Sequence, residues 1–102
     1  LLDAIKSHNA KGKRIAAICA APSILGRLGI LSGRKAMCFP GFEEYLQGAR
    51  IVDAPERVVT DGNITTSRGM GTSVDLGLEL VKLLCGQDVA DALGKSIQYI
   101  LV

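Results

Sequence analysis

Residues Arg14–Gly29 read RIAAICAAPSILGRLG and place one cysteine between a short apolar run and a segment typical of a helix. The run Ile15–Ile18 is continuously apolar and too short for an independent helix, which predicts a strand buried on both faces of a parallel sheet. Pro22 suits the first turn of a helix, because an N–H at that point has no partner within the helix. The sequence therefore predicts Cys19 at a sharp turn from strand to helix.

The flanking residues give Cys19 the pattern of a nucleophile. Ala17 and Ala21 lie two positions before and after it, as the small residues of the elbow G-x-S-x-G do where strand and helix approach closely. A thiol at the start of a helix is favoured as thiolate by the partial positive charge there. A buried structural cysteine is the alternative and the commoner fate of cysteines. The predicted elbow favours a functional Cys19.

Composition limits the class of protein. The chain has 102 residues, 48% of them hydrophobic, which allows one domain at most. Its formal charge of +2 comes from dispersed Lys and Arg, which predicts no nucleic-acid partner and no membrane partner, and no apolar stretch is long enough to span a bilayer. The N-terminus lacks Met and the order of a secretory signal, so we expect a piece of a longer protein.

The three cysteines indicate the redox environment of the protein. They are widely spaced and form neither a C-x-x-C pair nor a His/Cys metal set, so no metal is expected. A reduced, cytoplasmic environment fits this usage best.

Outside the elbow, helical and strand-like segments alternate, and a capping-box pattern from Thr72 to Asp75 opens the longest helix. That helix is apolar nearly all round, so we expect it to be well buried, with Cys85 on its buried face. Asp61-Gly62 is a strong hairpin signal. The predicted segments are a helix end over 1–9, a helix over about 20–28, a strand near 34–39, a helical turn around 42–47, a hairpin over 57–67, helices over 72–85 and about 88–93, and an apolar tail over 97–102.

Such alternation implies an α/β layered fold, in which sites lie at the carboxyl ends of strands. Cys19 and the glycine loop Gly69–Gly71 each follow a predicted strand and precede a predicted helix, so we expect them to be close in space. On spacing alone, the loop is also typical of a tight turn without function. If the turn needs a positive φ at Gly71, valine there should disturb folding and thiol reactivity.

A cysteine nucleophile needs a base or an electrostatic partner. The single histidine, His8, precedes Cys19 in a polar helix end, where a solvated surface role is expected. No carboxylate has a spacing that singles it out. If Cys19 is catalytic, its proton-handling partner is expected outside this chain.

Three segments resemble the ThiJ/PfpI superfamily in order and separation: Ala16–Pro22, Phe39-Pro40 and Thr66–Thr72. The resemblance, to the branch that includes the parkinsonism-associated deglycase and YajL-type proteins, covers residues 1–102 as the C-terminal portion of one domain. It implies a flavodoxin-like three-layer α/β sandwich around a mostly parallel sheet. This chain would supply roughly the C-terminal half. It also implies a homodimer. A further implied partner is the N-terminal half of the same protein, which carries a glutamate hydrogen-bonded to the cysteine.

The resemblance also assigns the site. It implies Cys19 as the reactive residue, the N–H of Ala20 as an oxyanion donor, and a pocket lined by Phe39, Pro40, Gly69 and Met70. The protease-like branch has histidine directly after the cysteine, so Ala20 disfavours peptidase activity. Some relatives have histidine where this chain has Phe39, which can form a wall but cannot shuttle protons.

Two functions of different class follow. The first is a cofactor-independent cysteine enzyme, glyoxalase-like or deglycase-like, whose Cys19 thiolate attacks small aldehyde substrates while Ala20 stabilises the oxyanion. The second is a redox-sensing or chaperone-like stress protein whose Cys19 is oxidised to sulfinate. A family member with a decayed site is a third reading, because fold constrains function loosely.

Overall fold

The fold is described here from a computed structural model that covers residues 1–101 of the chain. Val102, the end of the predicted apolar tail, lies outside the described residues. Two 3-10 turns, Glu43–Tyr45 and Met70–Thr72, accompany the regular elements. The helices and strands are α1 Leu2–Ala10, β1 Ile15–Ile18, α2 Pro22–Arg27, β2 Lys35–Ala36, β3 Arg50–Ile51, β4 Val58–Asp61, β5 Ile64–Ser67, α3 Ser73–Cys85 and α4 Gln87–Ser96.

The larger sheet has the strand order β1-β5-β4, with β1 parallel to β5 and β4 antiparallel to it. The predicted hairpin is confirmed, and its two-residue turn is Gly62-Asn63, one residue later than the Asp61-Gly62 signal. Gly62 has φ +62°, as the first central residue of a type II′ turn requires. A second, two-stranded parallel sheet pairs β2 with β3.

The central strand β5 is buried along its whole length although three of its four residues are polar. Each buried hydroxyl has a partner, as burial demands. Thr65 Oγ1 lies 2.8 Å from Thr60 Oγ1 on β4, and Thr66 Oγ1 accepts the N–H of Met37 at 3.0 Å. The Ser67 hydroxyl donates to the carbonyl of Arg57 at 2.6 Å. Polar contacts therefore join β5 to the segments on either side.

The apolar core lies between α2, β2 and the central strand. Its buried members are Leu25, Leu31, Ala36, Cys38, Leu46 and Ile64. Gly26 on α2 is buried against the 3-10 turn Glu43–Tyr45, and a Cβ at this position would lie 2.1 Å from the carbonyl oxygen of Tyr45. The absence of a side chain at Gly26 thus sets how closely α2 and this turn approach.

The prediction that β1 is buried on both faces is wrong for this chain. Ile15–Ile18 forms the expected strand, but its residues are half-buried and Ala16 is exposed. The reason is its place in the sheet: within the described residues, β1 pairs with β5 on one side only. An apolar run indicates that a strand needs to be buried, but it does not identify the segments that cover it.

The long helix α3 also departs from expectation. None of its residues is buried, Leu84 is 74% exposed, and Cys85 is exposed rather than on a buried face. The described elements that cover it are β4, β5, α4 and the turn before it, which leaves part of its apolar surface open. The helix ends at Cys85, as predicted, and Gly86 follows it with φ +99°.

Other predicted boundaries moved by a few residues. α2 starts at Pro22 rather than near Ala20, and α4 runs to Ser96 rather than ending near Leu93. The strand expected near 34–39 is only Lys35–Ala36, because the N–H of Met37 leaves the ladder for the Thr66 hydroxyl. The two-residue strand β3 was not predicted from the sequence.

Gly26→Ala should destabilise the protein by about 3 kcal/mol, because the added Cβ would overlap backbone atoms that cannot rotate away. Gly77→Ala on α3 is the matched control: nothing lies within 4 Å of its added Cβ, so the variant should gain roughly 0.5–1 kcal/mol of helix propensity. Urea unfolding of both variants within the longer protein to which the chain is expected to belong, followed by circular dichroism, measures both changes. Equal stabilities for the two variants would contradict the assignment of Gly26 to a close contact.

Candidate active site

The backbone of Cys19 has an unusual conformation. Its φ is +65°, and among the described residues only one other non-glycine residue, Gln98, has a positive φ. L-residues with side chains enter this region at a cost of about 1–3 kcal/mol, and such residues cluster at functional sites. The strained turn expected of a nucleophile elbow is therefore present at Cys19.

Two hydrogen bonds hold the elbow between neighbouring segments. The N–H of Cys19 donates to the carbonyl of Ser67 at 3.2 Å, one step beyond the last paired residues of β1 and β5. The N–H of Phe39 donates to the carbonyl of Cys19 at 2.7 Å. A Cβ added to Gly69 would lie 3.3 Å from Cδ1 of Phe39, so the glycine loop closes against this ring. The structure thus brings Cys19, Phe39 and Gly69 together.

The turn after Cys19 leaves one donor free. Ala21 donates its N–H to Ile18 at 3.1 Å, and Ser23 donates both its N–H and its hydroxyl to the Ala20 carbonyl at 3.0 and 2.6 Å. The N–H of Ala20 has no hydrogen-bond partner within residues 1–101. A backbone N–H next to a nucleophile is the kind of group that stabilises an oxyanion. Cys19 itself is partly exposed.

Two of the residues that were expected to line a pocket are exposed in this chain. Met70 is 90% exposed and Pro40 is exposed as well. Gly71 has no positive φ, and nothing lies within 4 Å of its added Cβ, so the expected sensitivity of this position to valine is not supported. Gly69 is the constrained glycine of the loop, through its contact with Phe39.

Thr72 is a site-supporting residue for which the sequence predicted a different role. Instead of capping α3, its Oγ1 accepts the N–H groups of Arg68 and Gly69, both at 3.2 Å. It also lies 2.6 Å from the hydroxyl of Ser67. The Thr72 hydroxyl also donates to the carbonyl of Gly69 at 3.0 Å. One hydroxyl therefore holds the loop that follows β5.

Asp75, the expected partner of that cap, instead bonds to Arg57 at 2.8 Å and to the hydroxyl of Tyr99. Burial works against its charge, but these two bonds hold the pKa of Asp75 below its usual value. Arg57 also donates to the carbonyl of Gly71 at 2.9 Å, so the same group braces the glycine loop from outside.

The charges near the elbow surround Cys38, whose side chain is 3% exposed. Burial raises the pKa of the Cys38 thiol, and the carboxylate of Glu43 raises it further, whereas Arg68 opposes the shift. Since the thiolate is the reactive form, we expect Cys38 to react slowly in the folded protein.

Two clefts lie away from the elbow. One of about 250 Å³ separates α3 from α4, and another of about 300 Å³ lies between α1 and β1 and is lined by the exposed His8. Among the described residues, no group of three or more His, Cys, Asp and Glu side chains could hold a metal ion. Over the same residues, no helix has both the length and the apolarity needed to cross a membrane.

Comparison with known proteins identifies the family. The model of the DJ-1/PfpI family matches residues 1–83, and the chain therefore belongs to this family. The crystal structure of Drosophila melanogaster DJ-1beta superposes on 95% of the chain with a TM-score of 0.87 and 35% identity. The fold is thus the α/β, flavodoxin-like fold of that family, as the resemblance implied.

The chain is similar to relatives that are named for different activities. A deglycase of Pyrococcus abyssi is 37% identical over 79 residues, 78% of this chain and 48% of its own length. An isonitrile hydratase of Pseudomonas putida is 30% identical over 98 residues, 96% of this chain and 43% of its own length. The chain also covers 52% of the Drosophila structure, so it spans about half the length of these proteins.

The three free thiols should differ in reactivity. With limiting iodoacetamide, Cys19 should be alkylated first, the exposed Cys85 more slowly, and the buried Cys38 only after unfolding. Peptide mapping of the native and the urea-treated protein measures the order, and Cys85→Ser should leave the rate at Cys19 unchanged. Native alkylation of Cys38 as fast as that of Cys19 would show that the site is assigned wrongly.

Proposed function

We propose that this protein is a cofactor-independent cysteine enzyme that acts on small reactive carbonyls such as methylglyoxal, or on their adducts with amines and thiols. The observation that carries the proposal is the strained backbone of Cys19, at φ +65°, next to the N–H of Ala20, which has no hydrogen-bond partner in the part of the chain that the structure describes. Strain of this kind persists only where the surrounding structure imposes it. The similarity to a deglycase supports the same class of substrate.

The proposed reaction begins with attack of the Cys19 thiolate on the aldehyde carbon. A carbon–sulfur bond forms, the carbonyl π electrons move to oxygen, and the Ala20 N–H donates to the resulting oxyanion. Protonation gives a hemithioacetal. Lactate is an isomer of hydrated methylglyoxal, so its formation needs no external oxidant or cofactor. Within this chain Phe39 cannot move the protons, and we assign that role to a glutamate of the N-terminal half.

We further propose that the N-terminal half of the same protein is the partner that completes both sheet and site. Two observations support this: β1 has one paired edge within the described residues, and the chain spans about half the length of its relatives. An unpaired apolar strand edge is an aggregation hazard. The three free cysteines favour a reducing, cytoplasmic setting for the completed protein, which by family resemblance is a homodimer.

Residues 1–102 expressed alone should be insoluble or should unfold without cooperativity, because half of the core cover is absent. Co-expression with the upstream half should restore a soluble protein, whose mass by light scattering tests the homodimer. A soluble monomer of residues 1–102 with protected amides at Ile15–Ile18 would refute the proposed partner.

Turnover of methylglyoxal to lactate tests the enzyme directly. We expect the complete protein, purified with its N-terminal half, to form lactate and Cys19→Ser to lose at least about 10²-fold in kcat/KM, because the hydroxyl is a far weaker nucleophile than the thiolate. Cys85→Ser, which removes an exposed thiol, should retain full activity. Equal activity of Cys19→Ser and the unmodified protein would exclude the mechanism.

The second candidate is a redox-sensing or chaperone-like stress protein. It is favoured by the partial exposure of Cys19 beside the buried Cys38, since accessible thiols are the ones that oxidise. If methylglyoxal is not turned over, but peroxide adds two oxygen atoms at Cys19 and none at Cys38, the redox-sensing function is favoured over the enzymatic one. Isonitrile hydration, named for one relative, should be assayed with the same variants.

A further inference from the structure

Arg68 is a cation with little to neutralise it. Its side chain is 21% exposed, and its single side-chain hydrogen bond among the described residues is 3.4 Å long, from Nη1 to Oδ1 of Asp53. Asp53 is 84% exposed, and such a pair contributes little. Within residues 1–101, no buried side-chain nitrogen lacks a partner, so the remaining guanidinium nitrogens of Arg68 reach solvent. Most of its donors are therefore free to bind a ligand.

Arg68 lies beside the elbow. It directly follows Ser67, whose carbonyl accepts the N–H of Cys19 at 3.2 Å. Its charge also reaches the thiol of Cys38, the residue before Phe39, and Phe39 donates to the Cys19 carbonyl at 2.7 Å. The guanidinium is thus within electrostatic reach of the segment that is bonded to the elbow.

The backbone of Arg68 is also held in place. Thr72 Oγ1 accepts its N–H at 3.2 Å and that of Gly69 at the same distance, while Ser67 is fully buried. A charged group on a braced loop loses less freedom on binding than one on a mobile segment, so more of the contact energy contributes to affinity.

We propose that Arg68 binds the carboxylate of an acidic carbonyl substrate, of the 2-oxo acid class such as glyoxylate, while Cys19 attacks its aldehyde carbon. The planar guanidinium matches a carboxylate with two parallel hydrogen bonds, which a neutral aldehyde cannot accept. This assignment rests on the proposed function and adds to it the preferred class of substrate. The exposed Asp53 pairs only weakly with Arg68, so the carboxylate of the substrate displaces it.

Alkylation of Cys19 by iodoacetate and by iodoacetamide tests this without requiring turnover. The two reagents share a leaving group, but only iodoacetate carries a carboxylate. We expect the iodoacetate-to-iodoacetamide rate ratio at Cys19 to be about fivefold lower in Arg68→Gln than in the unmodified protein, as expected for a charged hydrogen bond partly screened by water. Peptide mapping follows the Cys19 peptide, so labelling at Cys85 does not interfere.

Four further measurements make the test specific. Arg14→Gln removes the same charge at the opposite end of β1 and should leave the ratio unchanged. Asp53→Asn should leave the rate ratio unchanged or raise it. Arg68→Lys should lower the ratio less than Arg68→Gln does. High salt should lower the ratio of the unmodified protein. If Arg68 only supports the loop, its loss changes the alkylation rates with both reagents by the same factor. An unchanged rate ratio therefore overturns the proposal.

The substrate assay separates this proposal from the function on which it rests. Arg68→Gln should lose activity toward glyoxylate several-fold more than toward methylglyoxal. If neither aldehyde is turned over but the alkylation ratio still falls, the enzyme is wrong and the carboxylate contact stands. If both are turned over and Arg68→Gln affects them equally, the carboxylate contact is wrong and the enzyme stands.

Discussion

Parallel pairing of β1 with β5 is the interaction on which the rest of this structure depends. It sets Ile18 opposite Ser67, so that both strands end at the same sheet edge and the loops that follow them meet. The bond from the Cys19 N–H to the Ser67 carbonyl continues this pairing into the elbow itself. A slip of one residue would turn the hydroxyls of β5 away from their partners and separate the elbow from the glycine loop.

Local turn chemistry could be predicted from the sequence because it depends on backbone sterics within a few residues. The strained elbow at Cys19, the place of Pro22 in the first turn of α2 and the hairpin next to Asp61-Gly62 all belong to this group. The exposure of β1 and α3 could not be predicted, since an apolar pattern shows that a surface needs cover but not what covers it. Hence Cys85, expected to be buried, is exposed.

The supporting shell of the candidate site was the least predictable part. Thr72 and Asp75 have the spacing of a capping box, yet Thr72 bonds the loop before α3 and Asp75 bonds Arg57 and Tyr99. Contacts between a hydroxyl and the backbone of a loop leave no periodic signal in a sequence. Arg68 lies in a segment that resembles the family, but its weak pairing with Asp53 depends on how the two side chains fold together and leaves no signal in the sequence.

The left-handed backbone of Cys19 also bears on how this position can change over generations. Glycine would relieve the strain at once, and asparagine would tolerate it better than cysteine does. Mutation alone would therefore drift toward residues that make the protein more stable and remove its thiol. A cysteine at this φ therefore carries a cost in stability that glycine would not carry, and only a use for the sulfur would offset it.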